Sequence, residues 1–250
     1  MRSKRKKILL TVIISFLLIL LAAAVYFFQF TGDYRLTVPY RPNFQEIAPR
    51  IYMNKGNAMS PEEALAVSEE AKARNTAFFG EMQGLDDVTL IICDDPKIVK
   101  KIGEKDTITY PFSQKKEYIC ISNEWYNIDV VAHELTHTEL HYHLKTRKAR
   151  LSLPTWFDEG VATQNDYREQ YSYENWVEQT DNGKNAVAIE DMDTPAEFYA
   201  GEAEDRRFRY MCAKHEIAVW LEQHSVQELL ALADAVNSGA DFNELYFKES

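Results

Sequence analysis

Two imidazoles four residues apart, in His133-Glu134-Leu135-Thr136-His137, can meet at one metal ion only if that segment is helical. At about 3.6 residues per turn, positions i and i+4 stack on one face of a helix, so both rings can reach a shared ion. Glu134, next to the first histidine, can then lie beside a metal-bound water without becoming a ligand. Such a pattern names two ligands and a general base. A catalytic zinc takes three protein ligands and leaves its fourth position open, so a third His, Asp or Glu has to come from elsewhere in the chain.

The N-terminus constrains placement. Residues 8–28 comprise 21 residues without a charge, dominated by Leu, Ile, Val, Ala and Phe. That length crosses a hydrocarbon core of about 30 Å as a helix. Arg2, Lys4, Arg5, Lys6 and Lys7 precede it, which predicts a cytoplasmic tail over 1–7, a signal anchor over 8–28 and a body outside the cytoplasm. Ala22-Ala23-Ala24 admits a competing reading, a cleaved signal peptide and a secreted body. Against it, Val25, Tyr26, Phe27, Phe28 and Phe30 prolong the apolar run, and the uncleaved anchor is the preferred reading. The remainder of the chain carries 23 basic against 39 acidic residues, a balance that excludes non-specific nucleic-acid binding through phosphates. It leaves room for basic substrates, although a solvated acidic surface that aids solubility is the preferred reading. Cys93, Cys120 and Cys212 allow one internal disulfide at most, and Cys93 and Cys120 lie in strand-like runs where buried thiols are expected.

Further along, Pro39, Pro42 and Pro49 with Asn54 and Asn57 give residues 29–59 the look of a stalk leading to a folded domain over 60–250. Ser60-Pro61-Glu62-Glu63 starts a helix that Gly80 should end. Val88–Cys93 and Tyr118–Ser122 read as short buried strands, and a helix over about 127–145 carries the His-Glu motif. Further helices are expected from Thr155, over about 208–223 and over 226–236, with an irregular polar stretch over 168–195 between them. A few strands followed mostly by helices predicts an α+β fold, largely helical with a short mixed sheet.

Three residues compete as the third ligand. His143 lies ten residues after His133, but Glu139-Leu140-His141 continues a helix where a turn back to the metal would need a glycine. An unbroken helix puts His143 about 9 Å beyond His137 along the axis, at ~1.5 Å per residue. His141 is about 12 Å from His133 by the same measure and reads as a surface or ligand-orienting histidine. Glu159, in Pro154-Thr155-Trp156-Phe157-Asp158-Glu159-Gly160-Val161-Ala162, can be projected at the two imidazoles by a second helix packed through Trp156 and Ala162, and His₂Glu is an established catalytic zinc set.

This second stretch resembles the Trp-x-x-Glu-Gly-x-Ala motif of the gluzincin metallopeptidases, the thermolysin-like and aminopeptidase-like zincins. Trp156, Glu159, Gly160 and Ala162 match, and 21 residues lie between His137 and Glu159. The sharp similarity covers some thirty residues of the two motifs. It implies a zincin-like catalytic domain, Zn²⁺ on His133, His137 and Glu159, Glu134 as general base and a peptide or protein substrate. It also implies an edge strand beside the cleft, for which Glu117–Ser122 is the positional match, and an oxyanion stabiliser on a later helix, with Tyr210 and His215 as rivals. Asp158 and Thr163 are candidates for orienting the ligands. The expected function is membrane-anchored, zinc-dependent peptide hydrolysis, with a catalytically inactive, tethered zinc-binding module as the alternative. An intramembrane protease is disfavoured by the charges of the motif helix, Asp129, Glu134, Glu139 and Lys145, and by the distance of the apolar segment upstream.

Overall fold

The computed structural model describes residues 2–30, 34–85, 88–103, 105–109 and 117–247. Helix α1 (Arg2–Phe30) contains one segment, Lys7–Tyr26, long and apolar enough to cross a membrane, and its Leu, Ile and Val side chains are exposed along its length. The strands are β1 (Phe44–Ala48), β2 (Ile51–Asn54), β3 (Val88–Cys93), β4 (Lys105–Thr109) and β5 (Glu117–Ser122). The larger helices of the body are α2 (Pro61–Phe79), α3 (Pro96–Ile102), α4 (Ile128–His143), α5 (Thr155–Thr163), α6 (Tyr173–Gln179), α7 (Ala203–Leu221), α8 (Val226–Asn237) and α9 (Phe242–Tyr246). The fold is therefore α+β, mostly helical with a small mixed sheet.

That sheet has the strand order β1-β2-β3-β5-β4. β2, β3 and β5 run parallel, while β1 and β4 pair antiparallel at the two edges. Parallel strands covered on both faces have no polar side to show, which is why Val88–Cys93 and Glu117–Ser122 are buried at every position. Their period-two alternation divides the apolar side chains between two layers. Leu90, Ile92, Ile119 and Ile121 face α2 and α4, meeting Ala64, Ala71, Val131 and Leu135. Ile91, Cys93, Tyr118 and Cys120 face the other way, onto Tyr34, Val38, Phe44, Ile98 and Ile102. A third cluster, around Trp156, Phe157, Ile217 and Trp220, forms the core of the helical half. All three cysteines are buried free thiols.

Local signals in the sequence explain most boundaries. Ser60 and Glu63 form a reciprocal capping box at the start of α2, Pro61 occupies its first turn, and Gly80 ends it at φ 82°. Asn127 caps α4 by accepting from the Val130 N–H. Asp181, Asn182 and Gly183 all take positive φ, making the turn that this tripeptide predicts.

Two expectations are corrected. Residues 34–54 are not a stalk: Tyr34 and Val38 are buried, and β1 and β2 are integral strands of the sheet. Residues 31–33 of that expected stalk lie outside the described residues. Glu117–Ser122 is not an edge strand either, because β4 pairs along its outer side from Lys105↔Ile121 to Thr109↔Glu117. The backbone groups that a peptide could have paired with are already bonded to β4, and the edge nearest the His-Glu helix is β4 itself.

Candidate metal centre

α4 and α5 cross so that His133, His137 and Glu159 face one another. The two Nε2 atoms are 3.2 Å apart, and Glu159 Oε2 lies 3.3 Å from one and 3.5 Å from the other. All three side chains are buried. The packing of α5 against α7, which sets the position of Glu159, depends on Gly160. A Cβ at that position would stand 2.6 Å from the carbonyl oxygen of Ala213 on α7, so only glycine lets these two helices approach so closely. Trp156 anchors the start of α5, donating its indole N–H to Asp193 and setting its ring edge-on to Phe157, Phe242 and Tyr246. Thr136, the free position between the two histidines, is tied to α2 by a 2.7 Å hydrogen bond to Asn75 and accepts one from Asn165. The register of α4 is therefore locked by a buried polar network as well as by its apolar face.

The donor chemistry fits a metal ion. His137 Nδ1 is 2.8 Å from Asp158 Oδ1, and a carboxylate can only accept, so the Nδ1–H tautomer leaves the Nε2 lone pair pointing at the centre. Glu159 Oε2 is buried and has no hydrogen-bond partner, a costly state for a carboxylate oxygen unless a cation meets it. Burial alone would lower the His137 pKa, but Asp158 and Glu159 carry it well above the ordinary value. Burial would likewise raise Glu159, and the two imidazoles instead hold it far below the usual carboxylate range. Such mutual stabilisation shows how much negative and positive character these groups demand of each other. His133, His137 and Glu159 are a set that could hold a metal ion.

Around this centre, Asp158 also reaches His141 Nε2 at 3.1 Å, and His141 Nδ1 lies 3.3 Å from Glu117. Despite burial, the two carboxylates push His141 up to about 9. His137, His141 and Asp158 are also close enough together to gather an ion. Each of these contacts is already an imidazole on a carboxylate, so this group orients His137. His143, by contrast, continues α4 and pairs with Asp234 at 3.0 Å, away from the centre. Thr163 donates to the Glu159 main-chain carbonyl, not to its carboxylate.

A cleft of about 690 Å³ opens over the centre, and Glu134, Tyr210, His141, Asp158 and Tyr199 line it with the three metal-binding candidates. The Tyr210 ring lies 6.0 Å from that of His133. Burial, then Glu159, Tyr199 and Glu134, raise its phenol well above the ordinary value, so the hydroxyl keeps its proton and can donate a hydrogen bond. His215, its rival, is stacked at 3.4 Å on Trp176 and does not line the cleft. No motif or spacing singles out Tyr199, which the fold brings to the centre. Its phenol donates to Glu159 Oε1, leaving Oε2 to face the imidazoles. Tyr199→Phe is expected to weaken metal binding by about 10–100-fold, the usual cost of losing a partner behind a ligand. Competition titration against a chromophoric chelator measures it, and an unchanged affinity would show that Glu159 needs no such support. Neither a protein-family model nor a curated protein sequence matches this chain, so the centre is read from its own geometry.

Proposed function

We propose that the chain is a membrane-anchored, zinc-dependent peptidase with a zincin-like domain, its body held outside the cytoplasm by the basic residues before the Lys7–Tyr26 segment. The observation that carries this reading is the convergence of His133, His137 and Glu159 beneath a cleft that Glu134 and Tyr210 also line. Zinc held by two imidazoles and a carboxylate supplies a Lewis acid that polarises a carbonyl and makes water more acidic. The chain's own groups supply the rest. Glu134 takes the proton from the attacking water and passes it to the leaving amine. Tyr210, kept protonated by its surroundings, donates a hydrogen bond to the oxygen on which charge develops. Asp158 fixes the His137 ring, and Tyr199 fixes the Glu159 carboxylate.

The test uses the full-length chain in detergent, with zinc content measured by mass spectrometry and hydrolysis followed on internally quenched peptide pools. One zinc per chain is expected. Glu134→Gln should keep that zinc and lower kcat/KM by about 10²–10⁴-fold, the range of general acid–base catalysis. Full activity in Glu134→Gln, or a wild-type chain that binds no zinc, overturns the reading. A wild-type chain that binds zinc and peptides without cleaving them is the tethered binding module instead.

A further inference from the structure

The cleft does not share the acidity of the molecule, because its lining carboxylates are matched by arginines. The whole chain carries a net charge of −11. Among the residues lining the cleft, the acids are Glu134, Asp158 and Glu159, all part of the centre, while the opposite wall contributes Arg168, Arg206 and Arg207. Arg168 is committed, since its guanidinium embraces the buried Asp166. Arg206 and Arg207 are not. Arg206 uses one N–H on the Gly201 carbonyl, and a guanidinium has five. Arg207 lies 3.6 Å from Glu204, with both side chains open to solvent, an ion pair of little strength.

Their position on α7 gives them a role. Ala203, Arg206, Arg207 and Tyr210 all line the cleft, and their i, i+3, i+4, i+7 spacing makes them one helical stripe. Tyr210 is the end of that stripe at the metal centre, beside His133. The arginines stand one turn away, about 5.4 Å along the axis. A peptide advances about 3.3–3.6 Å per residue when extended, so a group one or two residues from the reacting carbonyl falls beside them. A guanidinium fork matches a carboxylate with two parallel hydrogen bonds.

From this geometry we infer that the substrate carries a carboxylate one or two residues from the scissile bond, recognised by Arg206 and Arg207. The inference rests on the peptidase reading and names its substrate class. The carboxylate has two sources, a Glu or Asp side chain or the free end of a peptide, and the same arginines serve either.

The experiment uses the full-length, zinc-loaded chain in detergent. A cleaved peptide is taken from a random quenched pool, its scissile bond is located by mass spectrometry, and each flanking position is set to Glu, Gln or Lys, with the C-terminus as free acid or amide. A kcat/KM at least about fivefold higher for a carboxylate than for its neutral counterpart is expected, in line with one charged hydrogen-bonded pair. Arg206→Gln/Arg207→Gln should erase that ratio. Arg206→Glu/Arg207→Glu should invert it in favour of Lys, a gain that misfolding cannot imitate. Preference for Glu regardless of the terminus assigns the side chain, and preference for the free acid assigns the chain end. Peptides cleaved equally well whatever their charge, or a preference that survives charge reversal, overturn the inference and leave the peptidase standing. No cleavage or binding of any peptide overturns both.

Discussion

Glu159→Ala is expected to weaken zinc binding by well over 100-fold, since even partners one shell behind a ligand cost about 10–100-fold. The loss follows from the geometry of one oxygen. Among the described residues, Glu159 Oε2 is the only carboxylate oxygen placed against both Nε2 atoms, at 3.3 and 3.5 Å. Asp158, the nearest alternative, is engaged by His137 and His141 through their ring nitrogens and cannot turn inward without abandoning both. Glu159→Gln keeps an oxygen but loses the charge, so its affinity should fall between wild type and alanine. His143→Ala serves as the control: its partner is Asp234, and its removal should leave zinc affinity within about twofold, as for a surface change that touches no ligand. Chelator competition gives the affinities, and circular dichroism confirms that each variant is folded. Wild-type affinity in Glu159→Ala would remove Glu159 from the centre.

The largest effect on stability should come from Trp156→Ala. Removing a buried tryptophan costs about 3–5 kcal/mol from lost contacts and the cavity left behind. Trp156 is only 1% exposed and meets three aromatic rings edge-on. Its N–H also satisfies Asp193, whose main-chain carbonyl holds the first N–H of α5, so the substitution loosens the start of the helix that carries Glu159. Against a typical total of about 5–15 kcal/mol, that is a large share. Trp156→Phe keeps one ring but loses the hydrogen bond and part of the packed volume, so a cost between wild type and Trp156→Ala is expected. Denaturant unfolding followed by tryptophan-independent ellipticity measures both. A midpoint for Trp156→Ala equal to wild type would mean that α5 is held by something other than this residue.

The metal centre was legible because its pieces are short-range. His133 and His137 are related by one helical turn, and Trp156, Glu159, Gly160 and Ala162 fall within seven residues on a second helix. Gly160 in particular has a physical reason visible only in three dimensions, the Ala213 carbonyl of α7 against which it packs. Tyr199 could not be found in the same way. It lies 40 residues from Glu159 beyond an irregular stretch, and only the tertiary path of the chain brings its phenol to that carboxylate. No sequence pattern marks Arg206 and Arg207, and only the tertiary fold places them in the cleft wall.

The sheet misled for a different reason. Pro39, Pro42 and Pro49 punctuate residues 34–54 as they would a linker, but an edge hairpin tolerates proline between and beside its strands, and β1 is an edge. Whether a strand is interior or at an edge depends on a neighbour. β5 is interior because the polar run Lys105–Thr109 pairs with it, and nothing within Glu117–Ser122 announces that partner.

The absence of a stalk over residues 34–54 gives the molecule a short working radius. With the Lys7–Tyr26 segment in a bilayer, seven residues separate its end from Tyr34, which is already seated in the core. Fully extended, the eight steps from Tyr26 to Tyr34 span less than about 29 Å. In that arrangement the body would stay within a single domain's width of the lipid surface and could not swing out toward distant targets. Its cleft would sample a thin shell of space at the membrane, where proteins that are themselves embedded or tethered reach a far higher local concentration than soluble ones.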